Sequence, residues 1–328
     1  VGGIVLLAVK SGAGSAYKNM CAERFEEEAR KTGKPLRIVY LTNVGGSYNM
    51  LGETLRLTRE VLLEVSDFRR ENCPLSALTL GVKCGTSDAT SGIAGNPCVG
   101  AAFDQLIRAG GTAFFSETTE IIGAEDLVAK RAVNESVAKK ILSAARHWED
   151  KAKATGEDIR KINPIPANIA AGISSLEEKS LGAIAKSGTS PIQDVLKYAE
   201  MPKGSGLYFV DSWMSSLSLP LCLTACGATI MLYQMGGGKI AQHPMMPSIN
   251  PTVVSPFLYL TGNAVAYSRA PDNFDFDASS IMTEGASIPE MGTKLLEHLS
   301  AIASGTMTKM ETLNYAEQLE LYMEGPVL

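Results

Sequence analysis

The chain has 328 residues, 45% of them hydrophobic, and a formal net charge of −5. That is enough apolar content for one large core or two modest ones, and the mixing of acidic and basic residues without a Lys/Arg block excludes nucleic acid as an expected partner. No run approaches the roughly 18 apolar residues that cross a bilayer, and no cationic signal-peptide flank opens the chain, so the expectation is a cytoplasmic protein with no membrane partner.

Apolar β-rich runs alternate with helical patterns from the start. Gly3–Val9 reads as a strand, and a helix follows over about Ala16–Thr32, stopped by Gly33 and Pro35. Leu36–Leu41 is the next strand, and Asn43-Val44-Gly45-Gly46-Ser47 turns into a helix carrying Leu51, Leu55, Leu62 and Val65 on one face. This β-α-β-α unit ends near residue 74, so the expected domains are 1–74 and 75–328.

Past Pro74, strands are predicted at Ala77–Val82, Thr112–Phe115, Leu207–Val210 and Ala228–Tyr233. Helices are predicted near Pro97–Ala109, Asn134–Thr155, Ser174–Ala185, Pro191–Tyr198, Leu219–Cys226 and Pro289–Ser300. Alternation of this kind makes an α/β fold, with a mostly parallel sheet covered by helices on both faces. In such sheets ligands bind beyond the carboxyl ends of the strands.

Four segments satisfy that rule. Lys83–Gly92 follows one strand, Ser116–Glu125 the next, Asp211 a third, and Gly236-Gly237-Gly238 a fourth. All four are expected to converge on one sheet edge. The first gathers a thiol, hydroxyls and an aspartate in a glycine-flexed turn, a composition that suits a site better than a core.

Glu117, Glu120 and Glu125, with Asp88 or Asp211, offer the oxygen ligands that hard divalent cations take, though acids leading into a helix also serve as ordinary caps. The six cysteines form no CxxC pair, and no His stands at zinc-finger spacing, which predicts reduced thiols. Cys222 and Cys226 read as small buried residues, and Cys84 as a soft ligand, an acid/base group or an inert thiol. Of three histidines, His147 and His298 read as surface and structural residues, and only His243 stands in a plausible functional loop. Gly236-Gly237-Gly238-Lys239 lacks the spacing and the helix-opening hydroxyl of a nucleotide loop.

The ordered motifs carry more. Lys-Cys-Gly-x-Ser-Asp-x-x-Ser-Gly-Ile-x-x-Asn-Pro (83–97), Ser-Glu-x-x-Glu-x-x-Gly-Ala-Glu (116–125), Asn-Pro-x-Pro-x-Asn (163–168) and Glu-Glu-Lys-Ser-Leu-Gly-Ala-x-Ala-Lys-x-Gly (177–188) together resemble the UxaA family of altronate and galactarate dehydratases and sulfolactate sulfo-lyase large subunits. Asn263, Phe274-Asp275-Phe276-Asp277 and Ala303-Ser304-Gly305 extend the likeness toward the C-terminus. The resemblance implies elimination of water or sulfite from a hydroxy-acid by loss of the proton α to a carboxylate. It implies a divalent metal, Fe2+ first with Mg2+ or Mn2+ as alternatives, a Rossmann-like catalytic domain and a dimerising domain before it. It also implies a small β-clip (SAF) domain, in the same chain or on a separate subunit; none is read here, so the sequence resembles a large-subunit fragment or a truncated member, and the dimerising domain implies a homodimer acting on a small hydroxy-acid.

Carried onto this sequence, the resemblance implies catalytic roles for Lys83, Cys84, Ser87, Asp88, Glu117 and Lys179. It implies substrate binding by Ser91, Asn96, Asn163, Asn168, Lys186, Gly236 and Gly238, and metal binding by Asp88, Glu120, Glu125 and Asp211; Lys239 and His243 join the substrate-binding candidates on the residues alone. Departures limit the transfer. Ile169 replaces a lysine, Gln234-Met235-Gly236-Gly237-Gly238 replaces a Thr-Thr-Gly-Arg-Gly-like run, Asp211-Ser212-Trp213-Met214 replaces Asp-x-Pro-Gly, and Leu7–Ser11 replaces a thiol-carboxylate pair. Arg and Lys grip the carboxylates of sugar diacids. Their loss argues against simple transfer of altronate or galactarate, with Lys239 and His243 as partial replacements. A metal-dependent hydro-lyase is the favoured expectation, a sulfo-lyase or a non-catalytic paralogue the alternative.

Overall fold

The computed structural model describes residues 1–9, 22–237, 249–252, 254–314 and 320, and the chain divides into two compact units, Val1–Asn72 and Cys73–Leu328. In the first unit, strands Ile4–Ala8 (β1) and Leu36–Tyr40 (β2) pair in parallel, with helices Ala22–Thr32 (α1) and Ser47–Ser66 (α2). Residues 16–21 of the predicted first helix lie outside the described residues. The face predicted for α2 is not the buried one: Leu57 and Val61 are buried, whereas Leu51, Leu55 and Leu62 are exposed. Leu57, Val61 and Val65 recur every four residues, and Gly3 lets that row approach, since a Cβ there would lie 2.4 Å from Val61 Cγ1.

The second unit is built on seven strands: Thr79–Gly85 (β3), Thr112–Phe115 (β4), Ile192–Leu196 (β5), Gly206–Val210 (β6), Ile230–Met235 (β7), Phe257–Thr261 (β8) and Phe276–Asp277 (β9). All pair in parallel, in the order β5-β6-β4-β3-β7-β8-β9. Its helices are Asn96–Arg108 (α3), Glu125–Ala129 (α4), Glu135–Ala154 (α5), Ile159–Ile162 (α6), Pro166–Ala170 (α7), Leu176–Ile184 (α8), Ser218–Ala225 (α9), Ala264–Arg269 (α10), Ser280–Thr283 (α11), Ile288–Ala303 (α12) and Lys309–Thr312 (α13).

Period-two alternation assigns the two faces. Leu80, Val82, Ala113, Phe115, Leu207, Phe209, Leu232 and Leu258 pack with α3, α5 and α12. Phe114, Tyr208, Val210, Met231, Tyr233, Phe257 and Tyr259 pack with α9, α10 and α13 on the other side. Burial on both faces explains why the strands read as continuous apolar runs rather than alternating ones.

Three expectations change. Pro191–Tyr198 is not a helix: Ile192, Val195 and Leu196 have helical spacing, but a segment this short lets period decide nothing, and pairing with β6 makes it a strand. Phe257–Thr261, between Pro256 and Gly262, is a buried strand that the sequence reading passed over. The strand predicted to stop at Val82 runs on to Gly85 because its pairing with β7 continues to Gly85 opposite Met235, so Lys83 and Cys84 are strand residues.

Candidate functional site

From β3 the chain goes to one side of the sheet through β4, β5 and β6, then returns to the other side at β7. The carboxyl ends of β3 and β7 therefore flank a topological switch point, where open α/β sheets bind ligands. The four predicted segments follow β3, β4, β6 and β7, which are adjacent in the sheet. Beyond β3 the chain makes a widened turn at Ser91–Gly95, where the Asn96 N–H donates to the Ser91 carbonyl, and then enters α3. Wide turns of this kind recur at functional sites. A cavity of about 500 Å³ opens here, with Ser87, Asp88, Ser91, Asn96 and Lys179 in its wall.

Two groups of charged residues support that wall. On the β4 side, Lys83, Glu117, Glu120 and Lys186 are all buried. Lys186 Nζ contacts Glu117 Oε2 directly and lies 3.1 Å from Glu120 Oε2, while Lys83 Nζ stands 3.3 Å from Glu117 Oε1. The Cys84 N–H donates to Glu117 Oε2 at 2.9 Å, and Lys83 Nζ donates back to the Cys84 carbonyl at 2.5 Å. Burial opposes the charge on both lysines, but it is outweighed by Tyr233 and Glu117 at Lys83 and by Glu117 and Glu120 at Lys186, so both are held above the usual lysine range. Burial likewise disfavours the charged form of Glu120, yet Lys186, Lys179 and Lys83 keep it below the usual carboxylate range.

Glu117 reaches this position from a left-handed backbone, φ 72° and ψ 65°, costly for a residue with a Cβ. Burial, and then the charge of Glu120, push the Cys84 thiol up to about 11. Its Sγ donates to Gln234 Oε1 at 3.2 Å and lies 3.4 Å from Ser87 Oγ.

On the β7 side, Asp88 is a hydrogen-bond hub. Oδ1 accepts from Thr90 Oγ1 (2.6 Å), the Ser91 N–H (3.0 Å) and Ser91 Oγ (3.3 Å), and Oδ2 accepts from the Gly237 N–H (2.7 Å) and Asn263 Nδ2 (2.9 Å). Gly236 makes this closure feasible, because a Cβ there would lie 2.4 Å from the Thr86 carbonyl and 2.6 Å from Ser91 Oγ.

The structure thus sorts the predicted residues. Ser87, Asp88, Ser91, Asn96 and Lys179 line the cavity; Lys83, Cys84, Glu117, Glu120 and Lys186 do not. Asn168 Nδ2 holds the Ser87 carbonyl at 2.9 Å, and Asn163 Oδ1 accepts from Lys179 Nζ at 2.6 Å. Gly238, Lys239 and His243 lie outside the described residues. Gln234 and Tyr233 were missed as site residues. A glutamine inside the apolar run Ile230–Met235 was the available signal.

The four carboxylates expected to share a metal are not brought together, and among the described residues no three His, Cys, Asp or Glu side chains form a metal-sized cluster. Each is occupied by donors. Asp88 holds its five, and Glu120 takes Lys186. Glu125 accepts the Gly123 N–H and pairs with Arg160 at 2.6 Å, contacts that outweigh partial burial and keep it below the usual range. Asp211 Oδ1 accepts from Thr118 Oγ1 at 2.7 Å and Trp148 Nε1 at 2.8 Å. A cation needs several unspent oxygens converging on one point, so this set does not fit a divalent metal.

The fold and site define an α/β protein with a cavity beside the switch point of a parallel sheet. The chain belongs to the D-galactarate/altronate dehydratase family, whose C-terminal domain matches residues 75–326. It is similar to the (2R)-sulfolactate sulfo-lyase subunit beta of Chromohalobacter salexigens, with 33% identity over 88% of this chain and 72% of that protein. It is also similar to the galactarate dehydratase (L-threo-forming) of Escherichia coli, with 34% identity over 86% of this chain and 52% of that enzyme. With the altronate dehydratase of Bacillus subtilis the identity is 33%, over 83% and 52% of the two chains. The chain therefore spans about half the length of these two dehydratases. All three relatives are named as lyases or a lyase subunit, and among the described residues no helix is long and apolar enough to cross a membrane.

Proposed function

We propose that this chain is the catalytic part of a lyase that removes water from a sugar acid or related hydroxy-acid by loss of the proton α to a carboxylate. The observation that supports this most is the cavity at the carboxyl end of β3, with hydroxyl-bearing Ser87 and Ser91 and the buried Lys179 in its wall. The enediolate that forms as the α proton leaves gathers negative charge on oxygen, and a fixed positive charge beside it stabilises it. Lys179 is the lysine in the cavity wall, whereas Lys83 and Lys186, held protonated by Glu117 and Glu120 and paired with them, lie outside the lining. Cys84 stays a thiol at neutral pH, which suits a hydrogen-bond donor and not the base. Fe2+ is the cofactor the family resemblance implies. The carboxylates named for it are occupied, and no step is assigned to it.

A sulfo-lyase large subunit is the second reading, supported by coverage: this chain matches 72% of the sulfo-lyase subunit and 52% of the galactarate dehydratase. The word "subunit" in that relative's name supports a separate small partner, proposed here as the β-clip subunit. Both readings are tested by assaying the chain, alone and with such a partner, under anaerobic Fe2+, Mg2+ or Mn2+ and with chelator. Galactarate, altronate and (2R)-sulfolactate are the acids, and release of a 2-oxo acid or of sulfite is the readout. Product from either acid class decides between the readings, and no product in any combination leaves a non-catalytic paralogue.

A further inference from the structure

Lys179 is 7% exposed and sits in the first turn of α8, in the cavity wall. Among the described residues its ammonium has one hydrogen-bond partner, the neutral carbonyl Oδ1 of Asn163 at 2.6 Å, and no carboxylate within ion-pair distance. An ammonium has three donors, and a buried one without an anion is costly. Lys83 and Lys186 are satisfied by Glu117 and Glu120, whereas Lys179 adds a third buried lysine to two buried carboxylates. Its charge reaches the cluster, since it helps hold Glu120 ionised. Glu178, in the same turn, is turned to the Ser174 N–H at 2.6 Å and to the Ser174 hydroxyl.

We infer that the Asn163–Lys179 pair is the anion anchor of this cavity, the point where the carboxylate or sulfonate of the ligand is gripped. Asn163 acts through Lys179: a neutral carbonyl aims the ammonium without cancelling its charge, leaving two N–H donors for the two oxygens of an anionic group. The anchor lies in the α8 wall, outside the 234–238 run, so the absence of an arginine from that run does not leave the cavity without a cation. It rests on the lyase reading only for the identity of the acid.

The test is calorimetric binding to the full chain, with galactarate, (2R)-sulfolactate and the uncharged polyol galactitol as probes. Wild type should bind one of the acids at least tenfold more tightly than galactitol. Asn163→Asp places a carboxylate against Lys179 and should weaken acid binding at least tenfold with an unchanged thermal midpoint. Lys179→Met should do the same, Lys179→Arg should retain binding within a few-fold, and combining Asn163→Asp with Lys179→Met should add nothing. Galactitol binding should be unmoved throughout. Unchanged acid affinity in Asn163→Asp overturns the anchor even if Lys179→Met fails to fold, and wild type that binds neither acid overturns it too. The lyase reading fails separately: absent turnover with anion binding lost in Asn163→Asp sinks the lyase and keeps the anchor, whereas turnover with unchanged affinity does the reverse.

Discussion

Three carboxylates of the second unit, two buried and one half-buried, are kept in three different ways. Glu117, on the β4 side of the site, has no exposed surface and is neutralised by two ammonium groups. Asp88, on the β7 side, is held by five neutral donors drawn from the β3 turn and from the ends of β7 and β8. Asp275, half-buried and away from the site, accepts among the described residues the Tyr259 and Lys309 N–H groups, and its partial burial pushes it up to about 6. The difference lies in what is lost when one partner goes. An ion pair leaves a bare charge behind, a hub leaves orphaned donors, and the third needs only a proton.

Breaking the first arrangement should have the largest effect. Lys186→Met strands Glu117 in a buried site, and urea unfolding should show a loss of about 3–5 kcal/mol, recovered in part by adding Glu117→Gln. A loss below about 1 kcal/mol would mean that water already reaches the pair. Cys84, whose N–H is bound to Glu117, should alkylate with iodoacetamide at pH 7.5 at least ~100-fold more slowly than the exposed Cys73, with the gap narrowing as pH approaches about 11. Asp88→Asn keeps the shape but replaces acceptors with an NH2 group, and should cost about 1–3 kcal/mol by orphaning one or two donors.

Asp275 supplies the pH arm of the comparison. Its native pKa of about 6 lies above the ordinary 3.8, so the native state holds the extra proton and stability falls as pH rises between those values. Asp275→Asn should flatten that slope, and an unchanged slope would place the proton elsewhere. The smallest effect is expected at the exposed Arg56, whose pairs with Glu53 and Glu60 are open to solvent, and Arg56→Ala should leave the midpoint unmoved.

Much of this was legible in the sequence. Apolar runs bounded by glycine and proline mark β3, β4, β6 and β7, and the segments after them do lie along one edge. The polar composition of 83–92 marks the switch point because nothing in a parallel-sheet core calls for a thiol, a lysine and an aspartate at a strand end. Side-chain partnership was not legible. Glu120, Glu125 and Asp211 look alike as letters, yet one meets Lys186, one Arg160, and one Thr118 and Trp148, none of them a sequence neighbour of its acid. β5 failed because five residues cannot separate a period of 2 from one of 3.6. The outward leucines of α2 failed because helix periodicity finds a stripe without saying which side the sheet takes.

The central pairing of the sheet has a consequence for how the molecule is made. Cys84 and Gln234, opposite each other on β3 and β7, are 150 residues apart, and the Asp88–Asn263 bond spans 175. Contacts of such sequence separation close late, after the chain between them has lost much of its freedom. During synthesis Asp88 and the Lys83–Glu117 cluster emerge well before the strands that cover them. A nascent chain stopped before β7 would hold every residue of the cavity lining but lack the Gly237 and Asn263 donors that fix Asp88, and it would leave the β3 edge open to pairing with other chains.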